Sequence, residues 1–391
     1  MSFLRAARAA LAGQNCLPQI LVAIVVVVVL AGLSLSCGSN SHSTSGRNHN
    51  AYVTLPARGS VLLLHINGAT GAITLGAETP QVQNTSPTGI ALLPSKKFLY
   101  AVNSSSHADS ISIFNVASDG TLALSGTPTP AGAGPNDAVI DPSGKYLLVT
   151  NNFGNNVSVY SIDASSGALS EVAGSPFPAN NNPAEILITP SGRFVYVTNP
   201  GIGMVTAFSF SNGVLTQLPT SPVSSGAGAF GLAVDGSEQF LYVANPSASN
   251  PPPFSSTGNI SGFTITSTGA LTPILGSPFT VTNGNGPSAV TVDPSGKYVY
   301  ATTPGSSFSI WCFTITPANG QLVAVTNSPF SLTAGGLFAL FDPSGNYLYI
   351  GSQDANGIAG YTYDPSTGAP TAIAGSPFST VAAPGKMVLS E

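Results

Sequence analysis

DPSGKYLLVTNN, residues 141–152, decides how the rest of the chain is read. Its first four residues make a tight turn, in which Pro142 fixes φ at the second position and Gly144 accepts a positive φ at low cost. Lys145 to Thr150 then reads as a strand ending in asparagine. The chain rewrites this unit as LPSKKFLYAVN from Leu93, TPSGRFVYVTN from Thr189 and DGSEQFLYVAN from Asp235. DPSGKYVYATT from Asp293 and DPSGNYLYIGS from Asp342 follow, and a copy without its turn opens at Ala51 to Thr54. A unit recurring about every 48 residues marks a propeller or a similar array.

Each unit divides into four short strands, A to D. In the third unit these are Asp137 to Asp141, Lys145 to Thr150, a strand from Val157, and Ala168 to Val172. The alternation Val157, Ser158, Val159, Tyr160 has the period of a half-buried strand. The C-to-D turns SDG, SSG, SNG, STG, ANG and STG all end in glycine, as hairpins needing a positive φ require. Strand D is expected to be the outer edge, where the proline of the recurring GSPF and NSPF ends pairing and the phenylalanine tucks between neighbouring units. Seven units are counted. The first lacks strand A, and the chain closes on PGKMVL, a strand A with nothing after it. The reading is an all-β, seven-bladed propeller of four-stranded antiparallel blades over residues 51–391, with the C-terminal strand completing the first blade. Glycine and proline are abundant, charged residues are 6% of the chain, and no sustained helical period appears after the N-terminus, so almost no helix is expected.

Residues 1–36 read as an export signal: Arg5 and Arg8 precede an apolar run from Ile20 to Leu35. LSLSC resembles a bacterial lipobox, which would attach lipid at Cys37; an uncleaved helical anchor is the other reading. Either places the body outside the cytoplasm, in the periplasm or on the cell surface, tethered to the membrane through residues 37–50. Cys312, between Trp311 and Phe313, reads as a small buried residue, and no disulfide is expected. A monomer is expected. From Cys37 onward eight Lys and Arg face fifteen Asp and Glu, a net charge near −7. Nucleic-acid binding needs clustered cations and is excluded; phosphorylated ligands are disfavoured for the same reason.

The recurrent YVTN (Tyr196 to Asn199; YVAN at Tyr242) and PSG turns resemble those of the YVTN-repeat, lactonase-type seven-bladed propellers, which include 6-phosphogluconolactonase-like proteins. The resemblance covers residues 51–391 and implies a carboxylic ester hydrolase acting from the face that carries the D-to-A and B-to-C loops. Enzymes of that family use His, Arg and Glu there and tend to carry a histidine just before strand A. The seven strand-A starts in this chain are Gly89, Asp137, Glu185, Gly231, Ala289, Phe338 and Lys386, and the position after YVTN holds Pro200.

Two functions are weighed for this upper face. In the first it is a binding module for a small neutral ligand, a glycan or a protein. Its rim comprises Asp137, Glu185, Asp354, Lys386 and the amides around Asn152, with Phe153, Phe230, Phe254 and Phe338 as stacking area. In the second it opens a small lactone, with His107 as general base, Asp109 orienting it, and Arg58 or Lys386 polarising the carbonyl. The binding reading is preferred because it needs only the face. No metal site is assigned and no cofactor is expected; Asp137 and Glu185 on neighbouring blades offer at most a weak Ca²⁺ site. The turn charges Lys97, Asp141, Lys145, Arg193, Asp293, Lys297 and Asp342 on the opposite face are read as ordinary solvated residues.

Overall fold

The computed structural model describes residues 46–390 apart from 82–84, 105–108, 247–257, 282–285, 305–308, 333–334 and 353. The export signal, Cys37, His107, Phe254 and the run Pro251, Pro252 and Pro253 lie outside the described residues. Among the described residues no helix is long and apolar enough to cross a membrane.

Seven antiparallel sheets follow one another along the chain, as the repeat predicts. Blade three is representative, its strands running Pro135–Ile140, Tyr146–Asn151, Asn156–Ile162 and Leu169–Glu171 from the axis outward. Blade one is built from both ends of the propeller. Its strands B, C and D are His49–Leu55, Ser60–Ile66 and Ile73–Glu78, and its innermost strand is Met387–Leu389. Ala51 pairs with Leu389, Tyr52 with Val388 and Val53 with Met387. The ring therefore closes through the C-terminal strand. Strand B of this blade begins at His49, so the last two residues assigned to the tether belong to it. Helical structure among the described residues is two single turns, Pro56–Arg58 and Pro200–Ile202.

The outer edge differs from the sequence reading. In blades two to seven a fifth strand of two or three residues pairs with strand C beside strand D, as Phe177–Pro178 does with Asn156–Val157. The proline of GSPF thus interrupts the outer rung rather than ending it. The serine before it explains why the motif recurs. Ser175, Ser221, Ser277, Ser328 and Ser376 each use Oγ to accept a strand-C amide across the gap, at 2.7–3.0 Å. Phe177, Phe279, Phe330 and Phe378 pack against the seams between blades, as expected.

The core is seven apolar clusters, one between each consecutive pair of blades. The motif YVTN supplies three distinct ties around them. Its tyrosine is fully buried and donates to the C-to-D turn glycine of the next blade: Tyr52 to Gly120, Tyr100 to Gly167, Tyr196 to Gly269, Tyr242 to Gly320, Tyr300 to Gly368 and Tyr349 to Gly71, at 2.8–3.0 Å. Burial pushes the Tyr52 hydroxyl up to about 12, so it stays protonated and donating. Gly71, at φ 70°, also lies so close to Tyr347 that a Cβ would come within 2.4 Å of the ring. Blade three carries Leu148 in place of tyrosine, and its seam with blade four is held instead by Thr150 and Asn136 donating to the Ala184 carbonyl. The asparagine of the motif is buried and turned inward, as Asn151 is to Asn156 and Ser158.

Asp141 and its repeats correct the reading of the lower face. Asp141, Asp235, Asp293 and Asp342 are 1–5% exposed. Asp141 Oδ1 accepts the amides of Lys145 and Tyr146 and Oδ2 accepts from Ser143, an Asx-turn that starts strand B and is repeated by Asp235, Asp293 and Asp342.

The Tyr349→Phe variant tests these ties. It leaves the buried Gly71 carbonyl without its donor and is expected to cost about 1–2 kcal/mol, read as a lower denaturant midpoint with unchanged slope.

Candidate functional site

Strand A runs down from the upper face, so the residue that starts it stands at the mouth of the axial channel. In blades one, three and four the residues at this end are Lys386, just before strand Met387–Leu389, Asp137, within strand Pro135–Ile140, and Glu185, just before strand Ile186–Ile188. Threonines of strand B fix their backbones. Lys386 N–H donates to Thr54 Oγ1 at 2.9 Å, Asp137 N–H to Thr150 Oγ1 at 3.0 Å, and Glu185 N–H to Thr198 Oγ1 at 3.1 Å. Blades one and four face each other across the ring, and the lysine crosses the gap. Lys386 Nζ lies 2.5 Å from Glu185 Oε1 and 3.8 Å from Asp137 Oδ2, with side-chain exposures of 24%, 14% and 12%. Asp137 Oδ2 also accepts the Ile186 amide at 3.3 Å, and the Glu185 carboxylate accepts the Leu232 amide of blade five.

Two carboxylates thus share one ammonium in a nearly closed space. Burial alone would lower the lysine, but Asp137 and Glu185 outweigh it and raise Lys386 above its ordinary value. Burial also pushes the Glu185 carboxyl up; Lys386 opposes this and Asp137 adds to it. Perturbed groups gathered in a cleft are candidates for chemistry. The ammonium stands between the two acids, where a Ca²⁺ bridging them would have to displace it; among the described residues no group of three or more His, Cys, Asp or Glu side chains could hold a metal.

The other expected site residues do not join this group. Arg58 is half exposed and pairs bidentately with Glu78 at the end of strand D in its own blade, Nε–Oε1 2.7 Å and Nη2–Oε2 3.0 Å, with Ser60 on the same carboxylate. The guanidinium holds Glu78 below the ordinary carboxylate range. Asp109 Oδ2 accepts the Gly134 amide at 2.6 Å, and its pairing with His107 lies outside the described residues. Asp354 is exposed on the blade-seven B-to-C turn.

Phe338 is not on the rim. It is 6% exposed, in the core between blades seven and one, opposite Gly351, whose missing side chain leaves room for the ring. The amides of the rim are largely engaged with the protein itself. Asn152 Nδ2 donates to the Pro183 carbonyl, Asn182 Nδ2 to Asn152 Oδ1, and the Asn182 amide to Asn155 Oδ1. Asn155, Asn180 and Asn182 also hold positive φ. Phe153 is the one large aromatic exposed on this face among the described residues, at 75%.

Glu78 went unrecognised in the sequence, although an acid at the top of strand D twenty residues after Arg58 lies one hairpin away from it. The Glu185–Lys386 contact, between blades that are neither sequential nor adjacent, leaves no local signal.

Three segments of the chain, residues 42–178, 171–258 and 255–385, match the family described as lactonase, 7-bladed beta-propeller. Among curated proteins none matches. Similar solved structures include a putative 6-phosphogluconolactonase from Bacteroides fragilis, with TM-score 0.72 and 20% identity over 90% of this chain and 100% of that one. A periplasmic gluconolactonase from Pseudomonas aeruginosa has TM-score 0.68 and 18% identity over 88% and 99%. At these identities the likeness is one of fold. The chain belongs to the seven-bladed β-propeller lactonase family.

Proposed function

We propose that the protein hydrolyses a small lactone at the upper mouth of its channel, with Glu185 as general base and Lys386 as the group that polarises the carbonyl. The buried Glu185–Lys386–Asp137 group carries this reading. A lactone carbonyl oxygen can take one N–H of the ammonium while another remains on Glu185, since an ammonium has three donors. Glu185 then removes a proton from the attacking water, the oxyanion forms against Lys386, and the ring C–O bond breaks as the leaving oxygen takes that proton back. Asp137 keeps the lysine charged throughout. Family membership and the gluconolactonase names of the structural neighbours support the reaction class. The binding-module reading is weakened because most of the amides it relied on are bonded internally. The charged start and apolar run of residues 1–36 support export, with attachment through lipid at Cys37 or through a retained helix, so the substrate would be met outside the cytoplasm.

A panel of γ- and δ-lactones assayed with the purified protein tests the proposal. Glu185 must be ionised to act as base, and its site raises its pKa. The acid limb of kcat/KM is therefore expected to fall at a pH above the ordinary glutamate value of about 4.3, with activity rising as pH rises through it. No turnover of any lactone, or a limb at or below that value, would count against it.

A further inference from the structure

We infer that the mouth selects uncharged lactones over phosphorylated ones, with Asp137 as the residue that sets the selection; this rests on the hydrolase reading above. The charges of the propeller are sorted by face. Lys96, Lys97, Lys145, Arg193 and Lys297 lie in the A-to-B turns of the lower face, and Arg47 lies at the lower end of the first strand B. Arg58 and Lys386 are the Lys and Arg residues of the upper loops, and both are already paired, to Glu78 and to Glu185. Residues 82–84, 105–108, 247–257, 282–285, 305–308, 333–334 and 353 contain no Lys or Arg, and His107 is their one titratable residue. Against these two paired cations the upper face carries Glu78, Asp109, Asp137, Glu185 and Asp354.

A phosphate ester needs forked donors or clustered cations to replace its water. Here it would meet an ammonium already shared and an excess of carboxylate, among side chains only 12–24% exposed, where charges are weakly screened. Glu185 takes the ammonium at 2.5 Å, whereas Asp137 stands at 3.8 Å and is the less compensated acid. A neutral sugar-like lactone meets no such penalty, and its hydroxyls can bond to the carboxylate oxygens.

The test compares glucono-δ-lactone with its phosphate ester at low salt and at about pH 8, above the ordinary range of histidine titration. The wild-type protein is expected to favour the neutral lactone by at least about tenfold in kcat/KM, with the gap narrowing as salt rises and narrowing by roughly tenfold in Asp137→Asn. Equal use of the two, preference for the ester, or a gap indifferent to salt would overturn the selection. Should Asp137→Asn fail to fold, the salt dependence of the wild-type ratio decides alone. Should neither lactone turn over, calorimetric binding of neutral gluconolactam and of its phosphate ester decides: binding of the neutral compound alone sinks the hydrolase reading but keeps the selection, whereas binding of both or of neither removes the selection too.

Discussion

Deleting residues 387–391 is expected to abolish the cooperative fold. The deletion removes strand Met387–Leu389 and leaves Ala51, Tyr52 and Val53, each at most 1% exposed, on an open edge. It also strips cover from the clusters on both sides of blade one, where Met387, Leu389 and Val388 pack. Fully burying a side chain of this size contributes about 1.5–3 kcal/mol; with Met387 buried and Val388 and Leu389 partly so, the loss of these contacts and of the strand pairing is several kcal/mol, a large share of the stability of a typical protein. The exposed strand would also offer unpaired backbone for association. Circular dichroism during denaturation should lose its single sharp transition, and size-exclusion chromatography should show aggregate. A variant that stayed monomeric and unfolded with the wild-type midpoint would mean that this strand does not close the ring.

Replacing Lys386 with methionine has the second large effect. Methionine keeps most of the stem volume but removes the charge shared by Glu185 and Asp137, which would remain as buried carboxylates with no cation. Breaking a buried pair from one side costs about 3–5 kcal/mol, partly relieved when one acid takes up a proton. The variant should therefore unfold at a clearly lower denaturant concentration, and the difference should shrink as pH is lowered and the acids become neutral. Loss of lactone hydrolysis should accompany it at every pH where the variant is still folded. Full stability together with full activity would assign Lys386 no part in either.

The fold was readable because its information is local and repeated. Pro142 and Gly144 fix a turn, Asp141 caps it with its own carboxylate, and five more units carry variants of the same turn. Ring closure was readable from a missing strand at one end and a surplus one at the other. Burial was harder to see. Phe338 starts a strand A as the rim residues do, yet Gly351 opposite it turns its side chain into the core. Asp141 looks like any surface turn residue until its four hydrogen bonds are seen. The site was half legible. Aligning the turn prolines places Asp137, Glu185 and Lys386 on one face, but a repeat pattern cannot show that Lys386 reaches across the axis to a residue 201 positions away. Arg58 was misjudged because its partner, Glu78, was not recognised in the sequence.

The base assignment is tested most directly by kcat/KM for a neutral δ-lactone in wild-type, Glu185→Gln and His107→Ala proteins, each shown to be folded by its far-ultraviolet spectrum. Glutamine preserves the shape of Glu185 and a hydrogen bond to Lys386, so the predicted result is a loss of about 10²–10⁴-fold in that variant and near-wild-type turnover in His107→Ala. The reverse pattern, with Glu185→Gln active and His107→Ala silent, would contradict the account and return the chemistry to the blade-two loop.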